Sequence, residues 1–413
     1  MFDVIIIGAG PAGLMAGITA ASQGKKTVIF EHMQSAARKL LICGKGRCNI
    51  TNACDMNEMI KNIPGNGIFL HSAFRMFDNE MLIDFFHNNN LATKVERGGR
   101  VFPQSDKAQD VKDVLLHLFS KYKGTLKLQS EVQEIVIKEN KVTGVRLQDG
   151  SFVAGGKVIL ATGGASYPKT GSDGSGFKLA QKCGHTIVPP RPSLVPLESN
   201  SQYLSQLQGL SLRNVEVSIV VDDKKVKKEF GEMLFTHFGL SGPVILTLSN
   251  FVAEYLAQDK KVAITIDLKP ALDQEKLDNR LKRDFEKFSK KQMKNSLSEL
   301  IPSSLGPVLL SESGINEDKF TNQVTKAERK AFLEKLKDLR FNITKTRPLA
   351  EAIVTAGGVS TKEINPKTMQ SKLVEKLFFA GEVIDIDGYT GGFNLQAAFS
   401  TGYVAGSNAA SEN

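Results

Sequence analysis

Glycines at a fixed spacing carry the first chemical signal: Gly8-Ala9-Gly10-Pro11-Ala12-Gly13 follows the apolar run Val4 to Ile7 and opens the alanine-rich stretch PAGLMAGITAAS. A GxGxxG set between a strand and a helix is a diphosphate cradle. Gly8 permits the tight turn, Gly10 lets the main chain approach a diphosphate, and Gly13 lets the helix pack close on the strand. The helix N-terminus adds free N–H groups and a favourable dipole. Glu31 closes the next apolar run, TVIFE. A carboxylate there accepts hydrogen bonds from both hydroxyls of an adenosine ribose and repels a 2′-phosphate, so NADP is a poor occupant. Pro11 and the form GAGPAGLMAG favour FAD over NAD as the resident dinucleotide.

Other chemistry-bearing residues follow in clusters. The basic loop ARKLLICGKGRCNITNAC, residues 37–54, combines Gly44 and Gly46 with Lys39, Arg47, Asn49, Thr51 and Asn52. Backbone N–H groups at adjacent glycines, with arginine and amide donors, suit phosphate and ribitol oxygens. Cys48 has no CxxC partner and reads as a buried cysteine before a redox thiol. In GGRVFPQSDKAQDV, Arg100, Ser105 and Lys107 are polar candidates, with Ser105 or Asp106 as an alternative helix cap. KVILATGG runs a strand into Ala161-Thr162-Gly163-Gly164, and Tyr167, Lys169, Thr170 and Asp173 lie in the loop beyond. The glycines of that loop do not follow a strand, so a second dinucleotide fingerprint is absent. GEMLFTHFGLSGPVIL holds His237, the most suggestive acid–base residue because imidazole titrates near neutrality. Near the end, KLFFAGE stops at Gly381-Glu382, and the glycine-rich stretch Asp387 to Asn394 opens a helix whose N-terminus would favour negative charge.

The elements that must position these residues form an α/β frame. Strand, helix and strand within the first thirty-odd residues make a βαβ unit with parallel strands. Met56 to Ser120 reads as helices and loops. LKLQSEVQEI through VILATGG reads as short strands with turns at Glu139-Asn140 and Asp149-Gly150. The proline-rich VPPRPSLVP reads as a break, after which alternation in VEVSIVVDD and KKVAITIDL suggests antiparallel strands. Residues 272–340 turn lysine- and glutamate-rich with helical spacing. The chain has 413 residues and a formal net charge of +9, part of it in RLKRDFEKFSKKQMK. Acids are interspersed there and no compact basic-plus-aromatic module appears, so a charged helical face is expected and a nucleic-acid partner is not. The four cysteines match neither a disulfide framework nor a zinc spacing, so no metal site is expected. No run reaches the ~18 apolar residues of a membrane span. The opening MFDVIIIGAG has no signal-peptide form, so no membrane association and a cytoplasmic location are expected.

The motifs ARKLLICGKGRCNITN, GRVFPQSDKAQDV, ATGGASYPKTGSDGSG, GEMLFTHFGLSGPVIL, TAGGV and AGEVIDIDGYTGGFNLQAAFSTG resemble, nearly end to end, the BaiN-like (YhiN-like) family of FAD-binding flavoproteins, relatives of aminoacetone oxidase. Lys45 stands where that family usually has a small residue before GRCN. The resemblance implies a Rossmann-like FAD domain interrupted by a β-barrel-like domain with a helical insert. The expected bounds are 1–192 and 355–413 for the FAD domain, 193–273 and 341–354 for the barrel, and 274–340 for the insert. Together with the residue reading, the resemblance implies a cofactor set of Gly8, Gly10, Pro11, Ala12, Gly13, Glu31, His32, Arg38, Lys39, Gly46, Arg47, Cys48, Asn49 and Asn52. The set continues with Val132, Ala161, Thr162, Gly163, Gly381, Glu382, Asp387, Gly392, Phe393, Asn394 and Ala397. His237 or Tyr167 would relay a proton and Arg347 would hold a substrate carboxylate, in a pocket between the FAD domain and the insertion. The family's members are described as reductases of enone-type steroid acids or as amine oxidases. The expected activity is hydride transfer between a small organic substrate or NAD(P)H and the flavin, with an enone or O₂ as oxidant. A flavin-dependent tRNA-modifying enzyme and a non-catalytic redox sensor are the alternatives. The oligomeric state is not legible.

Overall fold

The computed structural model describes residues 1–411, which form two units: 1–193 with 349–411, and 194–348. In the first unit the opening strand Phe2–Ile7 is the hub of the main sheet. It pairs in parallel with Thr27–Phe30 on one side and with Phe152–Leu160 on the other. Thr125–Lys127 extends the first side and Leu377–Phe379 the second, both parallel. Strand order therefore reverses between Phe2–Ile7 and Phe152–Leu160, and ligands of open α/β sheets lie at the carboxyl ends of the strands at such a switch point. The apolar runs VIII and TVIF are buried on both faces, as parallel central strands must be. The first half of Phe152–Leu160 also takes on the hairpin Val132–Lys138 and Lys141–Leu147. Its turn, Glu139-Asn140, has φ of 48° and 60°, the left-handed pair that a two-residue hairpin demands.

Two helices align at the switch point. The opening helix, Pro11–Ser22, packs along the closing helix, Phe393–Ala410. Glycines make the approach close: a Cβ on Gly402 would lie 2.4 Å from Ala12 O, and one on Gly406 2.4 Å from Ala16 O. Both partners are main-chain atoms, which cannot rotate away.

Two segments differ from their sequence reading. Thr93–Glu96 and Arg100–Pro103 form a hairpin inside the stretch that reads as helices and loops. VPPRPS is not a break: Ile187–Ser193 pairs antiparallel with Val354–Val359. The register shifts between Val188 and Arg191, so Pro189 and Pro190, which lack N–H donors, fall where the ladder is interrupted.

The second unit is a closed six-stranded barrel, ordered Leu197–Ser199, Gly239–Ser241, Lys224–Thr236, Ser211–Val221, Val262–Asp267 and Leu339–Thr346. Helices Gln274–Lys287, Gly306–Glu312 and Lys326–Lys337 are inserted between its last two strands in sequence. Its core unites barrel residues such as Phe235, Ile264 and Phe341 with insert residues Leu281, Leu309 and Phe332.

Candidate functional site

The glycine loop meets its neighbours at main-chain distance. Gly8 has φ +102°, and a Cβ there would lie 2.6 Å from Ala161 O and 2.9 Å from Thr162 Cα. The turn after the first strand thus touches the turn after Phe152–Leu160, which makes the floor of the crevice. A Cβ on Gly13 would lie 2.0 Å from Gly8 O, so this helix–strand contact requires glycine. Gly10 differs: it caps the opening helix with φ −79°, and a Cβ on it would meet nothing within 4 Å. Space beside the main chain is open here alone among the loop's glycines. No side chain caps this helix, and no acid sits in its first turn. Its leading N–H groups are those that an anion satisfies.

Glu31 stiffens the cradle. Its Oε2 accepts from Ala9 N–H at 2.9 Å and its Oε1 from Met33 N–H at 2.9 Å. Ser130 N–H donates to Glu31 O at 2.9 Å, which brings Val132 to the same edge. His32 flanks it, with Nδ1 3.8 Å from Glu31 Oε1. The loop after Ser166 reaches this corner too, since a Cβ on Gly171 would lie 2.9 Å from Met33 Cγ.

Several polar groups here have no protein partner. Asn49 Oδ1, Thr162 Oγ1 and Ser172 Oγ are buried and make no hydrogen bond. Arg38, half-buried at the start of the short helix Arg38–Ile42, has no ion pair or hydrogen bond among the described residues. Buried polar atoms in native structures are rarely left unpaired, so each calls for a ligand or solvent. A free arginine, open space over Gly10, an uncapped helix start and orphaned hydroxyl and amide oxygens fit the diphosphate and sugar of FAD. Ser172 was not singled out by sequence, since nothing in TGSDGSG distinguishes it; only its burial does.

Other residues of the expected set are engaged within the protein. Lys39 Nζ donates to Ser166 Oγ at 2.7 Å and Glu382 Oε2 at 2.8 Å, while Glu382 Oε1 accepts from Thr355 N–H at 2.7 Å. This knot joins the basic loop to the strand ends that carry Ala161, Gly163 and Gly381. Arg47 pairs with Glu96 at 2.5 Å and Asp106 at 2.6 Å and lies 4.1 Å over the Phe102 ring. The two carboxylates raise the guanidinium pKa; Arg47 holds Glu96 low, and Lys94 together with Arg47 holds Asp106 low. Asp106 also takes Lys94 at 2.6 Å, so it is no helix cap; the cap position falls to Lys107, whose side chain makes no capping bond. Asn52 Nδ2 donates to Gly98 O at 2.9 Å and Gly391 O at 3.0 Å, clamping the hairpin tip to the start of the closing helix. Asn394 closes its own loop through Gly388 at 2.8 Å. Gly392 caps the closing helix with φ 101°, and Phe393 and Ala397 are buried behind it. Asp387 is buried against Ser193 Oγ at 2.9 Å, and burial raises its carboxyl pKa. Gly46 has φ 84° in the basic loop. Cys48 is wholly buried and burial holds its thiol protonated, well above the usual range; Cys43 is pushed up to about 11.

The acid–base candidates fall in different units. Tyr167 belongs to the first, half-buried with φ 54° at the head of the loop over Met33. His237 is exposed in the tight turn between Lys224–Thr236 and Gly239–Ser241 of the barrel, its ring 5.0 Å from that of Phe238. Arg347 stacks on the same Phe238 at 4.7 Å and donates to Glu198 Oε1 at 2.8 Å.

Residues 2–408 match the family model described as the HI0933-like protein Rossmann domain. The chain belongs to the HI0933-like family. A 3-dehydro-bile acid delta(4,6)-reductase of Clostridium scindens is 31% identical over 408 residues, covering 98% of each chain. A ribosomal RNA dihydrouridine synthase of Escherichia coli is 32% identical over 406 residues, covering 98% of this chain and 96% of that one. A solved 3-ketosteroid delta1-dehydrogenase from Sterolibacterium denitrificans shares the fold with a TM-score of 0.55 at 12% identity and 99% coverage of each chain. This HI0933-like protein is an FAD-dependent oxidoreductase with an FAD-binding Rossmann fold. One expectation is overturned. The expectation that nucleic acid is no partner is contradicted by a relative, aligned almost end to end, that is named for ribosomal RNA. No helix among the described residues is long and apolar enough to cross a membrane.

Proposed function

We propose that this flavoprotein saturates a carbon–carbon double bond conjugated to a carbonyl, with NADH or NADPH as the transient reductant. One observation carries the reading. Two relatives of nearly equal identity, both aligned over almost their whole length, are named for reductions of one kind. A delta(4,6) 3-oxo steroid acid has its double bonds in conjugation with the ketone. Dihydrouridine is uridine with its C5–C6 bond saturated, and that bond is conjugated to the C4 carbonyl. In uracil a hydride goes to the β-carbon and a proton to the α-carbon; in the dienone the hydride goes to the β- or the δ-carbon and the proton to the carbon beside it.

Bound FAD, once reduced by NADH or NADPH, would supply the hydride, and the protein supplies position and electrostatics. Gly8, Gly10 and Gly13 with the opening helix hold the diphosphate, and Arg38 adds the charge that pairs it. Glu31 fixes the ribose end; Asn49, Thr162 and Ser172 offer the unpartnered oxygens. The Lys39–Ser166–Glu382 knot fixes the basic loop against the strand ends. The closing helix has no acid in its first turn and no side-chain cap, so its N-terminus is free to stabilise negative charge developing on a ligand. Tyr167, in the same unit as the glycine loop, delivers the proton.

The test is an anaerobic mixing experiment with the purified holoprotein. NADPH or NADH should bleach the flavin, and a 3-oxo-Δ4 steroid acid or uridine-containing RNA should restore its colour. The product should carry two added hydrogens, with label from 4-deuterated nicotinamide passing through the flavin to the β-carbon. A reduced flavin that returns its electrons to O₂ with peroxide formation, and to neither unsaturated acceptor, would defeat the reading in favour of an oxidase.

A further inference from the structure

We propose that Lys112 is a cofactor-binding residue: its ammonium, oriented by Ser35, pairs with the diphosphate of FAD at the glycine loop. The inference rests on the diphosphate lying over Gly10 and the start of the opening helix.

The helix Ala108–Lys121 buries Ala108, Val111, Lys112, Leu115, Leu118 and Phe119. These residues recur at the three- and four-residue spacing of one helix face. Position 112 therefore stands in the apolar stripe of AQDVKDVLLHLF, yet it holds a lysine. Lys112 is 9% exposed. Lysine is rarely buried to this degree unless its charge is paired. Its Nζ donates to Ser35 Oγ at 2.8 Å, a neutral hydroxyl, and makes no ion pair among the described residues. None of the acids near either partner in sequence pairs with it. Asp113 accepts from Gln109 at 2.7 Å, and Glu31 uses both carboxylate oxygens on main-chain N–H groups. Lys112 is thus a buried cation whose counter-charge the chain does not supply.

Its place in the fold decides which anion is in reach. The helix feeds Thr125–Lys127, which runs parallel to Thr27–Phe30, so the helix starts at the carboxyl ends of the strands, the end that carries the glycine loop. It packs on the opening helix, where Phe119 meets Gly17, and on Arg38–Ile42. Ser35 lies in the segment that joins Thr27–Phe30 to Arg38–Ile42. Two residues beyond it, Ala37 N–H donates to Ala9 O at 2.9 Å, within the glycine motif. Arg38 follows, a cation without a protein partner, whereas Lys39 is taken up by Glu382 at 2.8 Å. A diphosphate carries two negative charges; Arg38 balances one and Lys112 the other. An ammonium has three donors, and Ser35 takes one, which leaves two for phosphate oxygens.

The test compares full-length wild type with Lys112→Met, each stripped of flavin and titrated with FAD by quenching of its fluorescence, with ADP as competitor. Loss of one charge-assisted contact should weaken FAD about 10- to 100-fold. ADP should weaken by the same factor, because it carries the same diphosphate, and the loss should shrink as salt is raised. Lys112→Arg should keep more FAD affinity than Lys112→Met. Melting of the apoprotein separates this role from a structural one. Methionine fills the stripe with no charge to bury, so apo Lys112→Met should melt at or above the wild-type temperature. FAD and ADP bound as by wild type, FAD weakened with ADP unchanged, or an apo Lys112→Met that melts well below wild type would each overturn the proposal. Arg38→Gln, measured beside it, tests the placement on which the proposal rests. If Arg38→Gln weakens FAD and Lys112→Met does not, Lys112 alone loses its role; if neither weakens it, the placement of the diphosphate falls as well.

Discussion

Two glycines of one motif should respond oppositely to the same methyl group. At Gly10, φ is −79° and a Cβ meets nothing within 4 Å, so Gly10→Ala leaves the fold intact. The apoprotein should lose no more than about 1 kcal/mol, because the preference of a helix N-cap for glycine over alanine is partly offset by the reduced freedom of the unfolded chain. The methyl would stand in the space from which the diphosphate reaches the helix start. Holding the diphosphate off that helix forfeits about two charge-assisted hydrogen bonds at roughly 1.5–3 kcal/mol each. FAD affinity should then fall by roughly two to four orders of magnitude, at 1.4 kcal/mol per tenfold. At Gly13 the same methyl would lie 2.0 Å from Gly8 O, a main-chain atom, so Gly13→Ala should cost about 1–3 kcal/mol or more of stability as well as FAD binding. Apoprotein thermal melts and titration with FAD by quenching of flavin fluorescence read both effects. A Gly10→Ala protein that binds FAD as wild type would refute the placement of the dinucleotide. One that melts well below wild type would refute the claim that this space is open.

Arg38→Gln should weaken FAD about tenfold or more with little change in the apoprotein melting temperature, because this arginine has no protein partner to lose; equilibrium titration checks it. Gly406→Val should destabilise the first unit by several kcal/mol, since its Cβ would lie 2.4 Å from Ala16 O between the two central helices; urea unfolding measures this. In the second unit, Arg329 and Lys282 hold Asp278 down to about 2, and Lys319 with Thr325 holds Glu328 down to about 2. Carboxyls depressed on folding stabilise above their unfolded values and lose that contribution as pH falls. Stability should therefore drop from about pH 5 towards pH 2, and Asp278→Asn should flatten the drop in urea midpoints measured across that range. Iodoacetamide should label Cys48 only on unfolding, because the thiol is fully buried and protonated; labelling of the native protein at the rate of a free thiol would contradict this.

What was legible in the sequence was local. The glycine motif, the flanking apolar runs and Glu31 lie in one βαβ unit, where spacing alone fixes which residues meet. The Glu139-Asn140 turn was readable for the same reason, since two adjacent residues that tolerate positive φ define a hairpin. What failed was set by distant partners. The strands Thr93–Glu96 and Arg100–Pro103 are four residues each and carry little pattern; Arg47 fastens both the hairpin and the following turn through Glu96 and Asp106. Those same ion pairs draw Asp106 away from capping the helix. Pro189 and Pro190 looked like a break because propensity cannot show a register shift that accommodates them.

The proposed reductase activity turns on where the flavin's electrons go. Protein with its flavin reduced by NADPH, freed of excess nucleotide and mixed without oxygen in a stopped-flow instrument with a 3-oxo-Δ4 steroid acid or a uridine-containing RNA, should regain its yellow absorbance in step with formation of the saturated product. Flavin that stays bleached with both acceptors, yet reoxidises at once when air is admitted, would contradict it.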